Sequence, residues 1–190
     1  MEVPINKTKR TLLLGVGNYL MGDEGVGVHI AQQLAEAMQP SGVDVLDGGT
    51  GGFHLMGILE QYDRVILVDA TIDGRPAGTI RLLEPRFAAD FPRSLSTHDV
   101  GLRDVLEALQ VTGKMPKVSL ITISVEELQP MSILLSPAVE AAGQLVIAQL
   151  RTLLEHWDTA PTFKKNQLKL WFPTGSSSYA NLSVSPGPGG

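Results

Sequence analysis

The chain has 190 residues, 43% of them hydrophobic, which predicts a single domain with a buried core. Its 15 basic and 20 acidic residues give a net charge of −5, and the densest basic cluster is only Lys7, Lys9 and Arg10, so a nucleic-acid-binding face is not expected. Cysteine is absent, which excludes disulfides, thiolate metal sites and a cysteine nucleophile.

The segment after Arg10 shows no export or membrane signal. Its short apolar run gives way to Gly15 and Gly17, without the apolar region and cleavage site of a signal peptide. No apolar stretch reaches the roughly 18 residues that a transmembrane helix needs. We therefore expect a cytoplasmic protein that does not enter a membrane.

The first third of the chain alternates short apolar runs with a helical pattern. A buried strand is predicted from Thr11 to Gly15, and a second strand from Val43 to Asp47. Between them, a helix that ends before Pro40 is indicated by apolar residues four positions apart: Val26, Ile30, Leu34 and Met38.

The middle of the chain predicts the centre and one edge of a sheet. After the glycine loop 47–52 and a short helix from Phe53 to Gln61, the uninterrupted apolar run from Arg64 to Asp69 indicates a central strand parallel to the first. A further strand, Thr79 to Glu84, follows a turn too short for a parallel crossover. We therefore expect it to form an antiparallel edge pair with the strand before it.

The remaining elements complete an α/β fold. A loop from Ser94 to Asp99 leads into a helix from Val100 to Gln110, a strand from Val118 to Val125 and a helix from Pro137 to about Trp157. The pattern predicts a twisted, mostly parallel five-stranded sheet with helices on both faces and one antiparallel edge strand. One domain should span residues 1–160, and the Ser-, Gly- and Pro-containing segment 161–190 is predicted to be a flexible tail.

Three polar residues follow predicted strands, where ligands bind in open parallel sheets. Glu24 follows the first strand across a glycine turn, Asp69 ends the most apolar strand, and His98 precedes the third helix. Each has a plainer interpretation. Glu24 could complement a helix dipole, Asp69 could cap a turn, and His98 could be an ordinary loop histidine.

Together, the two carboxylates and the imidazole form an oxygen and nitrogen donor set suited to nickel, zinc or manganese. With only three protein ligands, positions on the metal stay open to substrate or water, as in a catalytic site. The other histidines, His29, His54 and His156, are better explained as packed, solvated or helix-end residues.

Two common enzyme classes are disfavoured by specific positions. The glycine loop that begins at Gly15 resembles a dinucleotide motif, but Leu20 occupies the place of its third glycine, and the acidic pair Asp23 and Glu24 would repel a pyrophosphate. A serine hydrolase lacks its characteristic nucleophile motif, G-x-S-x-G.

Several ordered motifs together resemble one known family: 15–18 (GVGN), 22–28 (GDEGVGV), 47–50 (DGGT), 68–70 (VDA), and His98 followed by Gly101 and Leu102. This pattern, from about Thr11 to Trp157, strongly resembles the hydrogenase-maturation endopeptidases of nickel–iron hydrogenases. The tail after Trp157 departs from the family pattern and affects no candidate site position.

The resemblance implies that Glu24, Asp69 and His98 are both the catalytic and the metal-contacting residues. Members of the family recognise nickel already installed in the hydrogenase large-subunit precursor and remove its C-terminal extension. Nickel would thus arrive with the substrate, although other divalent metals could occupy the site. The expected partner is this precursor, with neither nucleic acid nor membrane involved.

The sequence leaves the mechanism open between metal-assisted hydrolysis and general-base catalysis by the carboxylates, as in an aspartyl protease. Asp23 and Asp47 could support the site, although a helix cap and a turn acid are their plainer roles. A metallochaperone that binds nickel without cutting is the main alternative function, and a nucleotide-binding oxidoreductase is a weaker one.

Overall fold

The computed structural model describes residues 10–37, 42–85 and 102–155. The elements in chain order are β1 (Thr11–Gly15), a 3-10 turn (Gly22–Gly25), α1 (Val26–Ala37), β2 (Val43–Asp47), a second 3-10 turn (Phe53–Leu55) that continues into α2 (Met56–Leu59), β3 (Arg64–Thr71), β4 (Ile80–Leu83), α3 (Leu102–Val111), β5 (Lys117–Ser124) and α4 (Pro137–Glu155). The predictions for Met38, His98 and the tail 161–190 lie outside the described residues.

The five strands form one sheet in the order β2-β1-β3-β5-β4. All neighbouring pairs are parallel except β4 and β5, which are antiparallel. The predicted fold class is therefore confirmed, including the central position of β3. A parallel sheet buried on both faces explains why β1 and β3 consist almost wholly of aliphatic residues.

The partner predicted for the antiparallel edge strand was wrong. β4 does not pair with β3, which precedes it, but with β5, which lies between them. The physical reason is the length of the β3–β5 ladder, which joins eight residue pairs, whereas β4 contributes only four. The connection from Ile72 to Thr79 therefore passes the end of β5, where Gly78 N–H donates to the Ser124 carbonyl at 2.8 Å.

The same ladder corrects the position of Asp69. This residue was expected to end its strand, but β3 continues to Thr71, and Asp69 pairs in register with Thr122 on β5. Two more residue pairs beyond the predicted end are thus part of the sheet. Asp69 is consequently held inside a strand that β5 pairs along its full length, and not by a turn.

Helices cover both faces of the sheet. α1 and α4 pack on one face, with Val26, Ile30 and Leu34 fully buried as the four-residue spacing predicted, and α2 and α3 pack on the other. The approach of α1 is very close, because a Cβ atom on Gly27 would collide with the carbonyl oxygens of Val16 and Val68. This contact places the turn Gly22–Gly25 over the carboxyl ends of β1 and β3.

Among the helices that the structure describes, none has the length and apolar character needed to cross a membrane.

Candidate active site

Glu24 lies in the 3-10 turn that joins β1 to α1, and only 8% of its surface is exposed. The chain reaches this position through Gly17, whose φ of +143° favours glycine and whose Cβ would collide with the Glu24 carbonyl oxygen. The glycine pattern of the β1–α1 connection therefore serves to bring a buried carboxylate to the sheet end.

Asp69 extends from β3 on the face that carries Val65 and Leu67. Burial raises the pKa of Asp69 to about 7; a hydrogen bond from the Ala70 backbone N–H opposes this rise, and the negative charge of Glu24 adds to it. Burial also raises the pKa of Glu24. The two predicted acids are therefore neighbours that repel each other when both are ionised.

This arrangement favours binding of a cation. In the ranges 10–37, 42–85 and 102–155, neither Glu24 nor Asp69 forms a salt bridge. Two desolvated carboxylates without a positive partner are unfavourable, and a metal ion between them would offset both the burial and the repulsion. Their oxygen donors suit hard and borderline divalent ions, so this part of the predicted metal set fits its role.

The third predicted ligand, His98, lies outside the described residues, and its role stays a prediction. Within the described part of the chain, no group of three or more His, Asp or Glu side chains could hold a metal ion. The two carboxylates alone would thus leave most coordination positions to other donors, including those that a substrate brings.

Asp23, next to Glu24, ties the site to a distant loop. Its carboxylate accepts hydrogen bonds from Ser136 N–H at 2.6 Å and from Gln129 Nε2 at 3.2 Å, and its own N–H donates to Gln129 Oε1 at 2.8 Å. It therefore fastens the loop 129–136 to the turn that carries Glu24. The helix cap that seemed its plainer role is not what the structure shows.

The other polar candidates have structural partners. Asp47 accepts hydrogen bonds from Gly49 N–H at 2.9 Å and Gln32 Nε2 at 2.8 Å, which confirms it as a turn acid. His29 stacks on the Tyr19 ring with centroids 4.6 Å apart, and burial lowers its pKa. His29 is thus a packed histidine, one of the two interpretations given to it, whereas His54 is exposed.

Two residues beside Asp69 were not predicted from the sequence. Thr122 on β5 pairs with Asp69, and Arg81 on β4 pairs with Thr122, so the three form one row across the sheet. Thr122 is a buried polar residue that follows Val118 and Leu120 on the same face of β5, and this alternation could have revealed it. Arg81 could not have been found in this way, because its place depends on β4 pairing with β5.

The chain is similar in sequence to hydrogenase maturation proteases. A family model described as "HycI: Hydrogenase maturation protease" matches residues 28–152. The chain is 41% identical over 150 residues to the Hydrogenase 2 maturation protease of Escherichia coli, covering 75% of this chain and 91% of the relative. It is 34% identical over 159 residues to the hydrogenase expression/formation protein HupD of Rhodobacter capsulatus, covering 82% and 76%.

Solved structures agree with this result. The hydrogenase maturating endopeptidase HybD of Escherichia coli superimposes with a TM-score of 0.68 and 37% identity, covering 80% of this chain and 94% of that one. The hydrogenase 2 maturation peptidase of a Thaumarchaeota archaeon gives a TM-score of 0.59 and 32% identity, covering 77% and 99%. The protein is therefore a peptidase. It belongs to the hydrogenase maturation protease family.

Proposed function

We propose that the protein is a cytoplasmic peptidase that removes the C-terminal extension of a nickel-loaded hydrogenase large-subunit precursor and recognises the nickel that the precursor carries. The observation that carries this proposal is the pair of neighbouring carboxylates, buried Glu24 and half-buried Asp69, at the carboxyl end of the sheet. Membership of the maturation protease family supports the reaction class and disfavours the metallochaperone alternative.

Nickel is part of the substrate and not a resident cofactor of the enzyme. Glu24 and Asp69 are two hard oxygen donors without cysteine beside them, so they should hold free nickel weakly, and a precursor that brings its own ligands would complete the coordination. We propose that His98 supplies a third protein ligand through its neutral imidazole. In this arrangement the metal aligns the peptide with the enzyme.

The carboxylates also suit proton transfer. With a pKa of about 7, Asp69 is poised to accept a proton from an attacking water molecule near neutral pH and to return it to the leaving amine. The water oxygen bonds to the peptide carbonyl carbon as the C–N bond breaks. In this role Asp69 is the general base of an aspartyl-type protease. In the alternative mechanism, metal-assisted hydrolysis, Asp69 would bind nickel and stay ionised throughout.

The surface beside Glu24 suits a protein substrate. Two segments, 17–22 and 128–135, contain no charged residue and are joined by hydrogen bonds from Gly22 N–H to the Ser132 carbonyl at 2.7 Å and from Ser132 N–H to the Leu20 carbonyl at 3.1 Å. Their exposed apolar side chains, which we call the apolar rim, are Tyr19, Leu20, Met131, Ile133 and Leu134. An apolar surface next to a catalytic pair is typical of a protein-docking site.

The proposal is tested by incubating the purified enzyme with nickel-loaded and nickel-free precursor and measuring the shortened product. We expect cleavage of the loaded form only. Adding free nickel to the enzyme before the nickel-free precursor is the control, and it should not restore cleavage. Equal cleavage of both forms would show that nickel is not the recognition element, and an intact loaded precursor would refute the function itself.

A further inference from the structure

A row of three polar residues crosses the sheet beside the carboxylate pair. Asp69 on β3 pairs with Thr122 on β5, and Thr122 pairs with Arg81 on β4. In-register residues of neighbouring strands face the same side of a sheet. The row two residues earlier along β3 and β5, formed by Leu67, Leu120 and Leu83, packs in the core on the α2–α3 face. The polar row is therefore the direct continuation of that core.

Two hydrogen-bonding atoms of this row have no partner among the residues that the structure describes. Thr122 is 1% exposed, and its Oγ1 atom is buried without a hydrogen bond in the described part of the protein. The Nε atom of Arg81 is buried in the same condition. A buried donor without an acceptor lowers stability, so most such groups in proteins are paired. Two of them on adjacent strands, in one row with Asp69, indicate a shared reason.

The contacts of Arg81 hold its side chain in place, but among the described residues they provide no acceptor for its Nε–H. Its Nη1 atom lies 3.3 Å from Asp73 Oδ2, and Asp73 is itself held by Ser124 Oγ, which donates to Oδ1 at 2.8 Å. Hydrogen bonds from the Ser124 side chain, the Arg75 backbone N–H and the Arg81 side chain, together with the positive charge of Arg75, lower the pKa of Asp73 despite its burial. An ionised Asp73 thus anchors one edge of the guanidinium and leaves the Nε–H free.

We propose that Thr122 and Arg81 bind main-chain carbonyl oxygens of the peptide that is cut. This inference rests on the proposed function, in which Asp69 lies beside the nickel centre of the precursor. Strands are about 4.8 Å apart, so Thr122 lies one spacing from Asp69 and Arg81 lies two, a span of roughly 10 Å. About three residues of extended peptide cover this distance, so a segment leaving the metal along the row would meet both donors.

The Thr122 hydroxyl is tested by two substitutions. Thr122→Val keeps the side-chain shape and removes the donor, and we expect kcat/KM for the nickel-loaded precursor to fall roughly 10- to 100-fold while the melting temperature stays equal or rises. Thr122→Ser should restore kcat/KM to within about threefold of the original enzyme, since the hydroxyl is back. Unchanged cleavage by Thr122→Val, or equal loss in both variants, would overturn the proposal.

Arg81 is tested against a matched arginine. Arg75 also forms an ion pair with Asp73, at 3.0 Å, but lies in the turn after β3 and outside the row. We expect Arg81→Gln to raise KM roughly tenfold and Arg75→Gln to change it less than twofold. Equal effects would show that only the Asp73 pairing matters. The unsubstituted enzyme is the reference in both tests: if it does not cut the loaded precursor, the proposed function is wrong, and this inference is wrong with it.

Discussion

The three central strands, β1, β3 and β5, carry different kinds of side chain at their amino and carboxyl ends. On the α2–α3 face, the amino ends carry only packed aliphatic residues, such as Leu12, Val65 and Val118. On the same face, β3 continues into Asp69, whose pKa is raised, and β5 continues into Thr122, whose hydroxyl has no hydrogen-bond partner in the described part of the chain. The aliphatic residues at the amino end stabilise the sheet. At the carboxyl end, the rigid strands hold polar groups whose burial lowers stability until a substrate binds them.

The largest effect is expected from removing a charge at the carboxyl end. Asp69→Asn and Glu24→Gln should each lower cleavage of the nickel-loaded precursor by about 1,000-fold, because both metal contact and proton transfer need a carboxylate. Cleavage rates measured by gel or mass spectrometry check this expectation. Asp44→Asn, which alters an exposed acid on β2 that pairs with Arg10, is the control and should change the rate less than twofold. Normal processing by either site variant would remove that residue from the site.

In the aliphatic part of the same face, the expected effect is on stability alone. Leu67 precedes Asp69 by two residues on the same face and is 1% exposed. Leu67→Ala should lower the free energy of unfolding by about 2–5 kcal/mol, through lost burial and the cavity left behind. Denaturant unfolding measures this change. Cleavage per folded molecule should stay within about twofold, and a large loss there would contradict the separation of the two ends.

Removing the charge of Asp69 should have a smaller effect on stability than Leu67→Ala and should raise the free energy of unfolding instead of lowering it. The folded-state pKa of Asp69 is about 7, above its ordinary value, so its neutral form favours folding below the unfolded pKa, and this contribution is lost as the pH rises through about 7. Asp69→Asn cannot ionise and should therefore be more stable than the original protein by about 1–2 kcal/mol at pH 8, after allowance for residual exposure.

Unfolding curves of the two proteins at pH 4 and pH 8 test this sign. The difference between them should be much smaller at pH 4, where Asp69 is neutral in the folded protein and about half ionised in the unfolded protein. An equal difference at both pH values would show that the substitution acts through packing instead of through the charge.

The positions of strands and helices could be predicted from the sequence more closely than the pairing between strands. Strand and helix positions follow from local apolar spacing, so Thr11–Gly15, Val43–Asp47 and the centre of β3 were predicted closely. The pairing of β4 depends instead on competition between strands far apart in the chain. For that reason the row that joins Asp69, Thr122 and Arg81 could not be predicted from the sequence. Glu24 and Asp69 were found from their positions after strands and from the family motifs.

The smallest expected effect concerns the apolar rim, where Met131 combines two unfavourable features. It is the one non-glycine residue with positive φ, at 61°, among the described residues, and 89% of its surface is exposed. A left-handed backbone costs a non-glycine residue roughly 1 kcal/mol, and an exposed apolar side chain contributes nothing to the core. The backbone of Ser132, the next residue, is hydrogen-bonded to Leu20 and Gly22, so Met131 lies next to the segment that leads into Glu24.

Met131→Gly should therefore separate binding from stability. Relief of the strained backbone and the greater flexibility of glycine nearly cancel, so the melting temperature should shift by less than about 2 °C. KM for the precursor should rise about three- to tenfold with kcat unchanged, because the lost contact serves docking and not chemistry. Val111→Ala is the matched control, since Val111 is 88% exposed but ends α3 near the amino end of β5. If both variants cut the precursor with the original KM, the rim does not contact the substrate, and docking depends on the metal centre and its immediate surroundings alone.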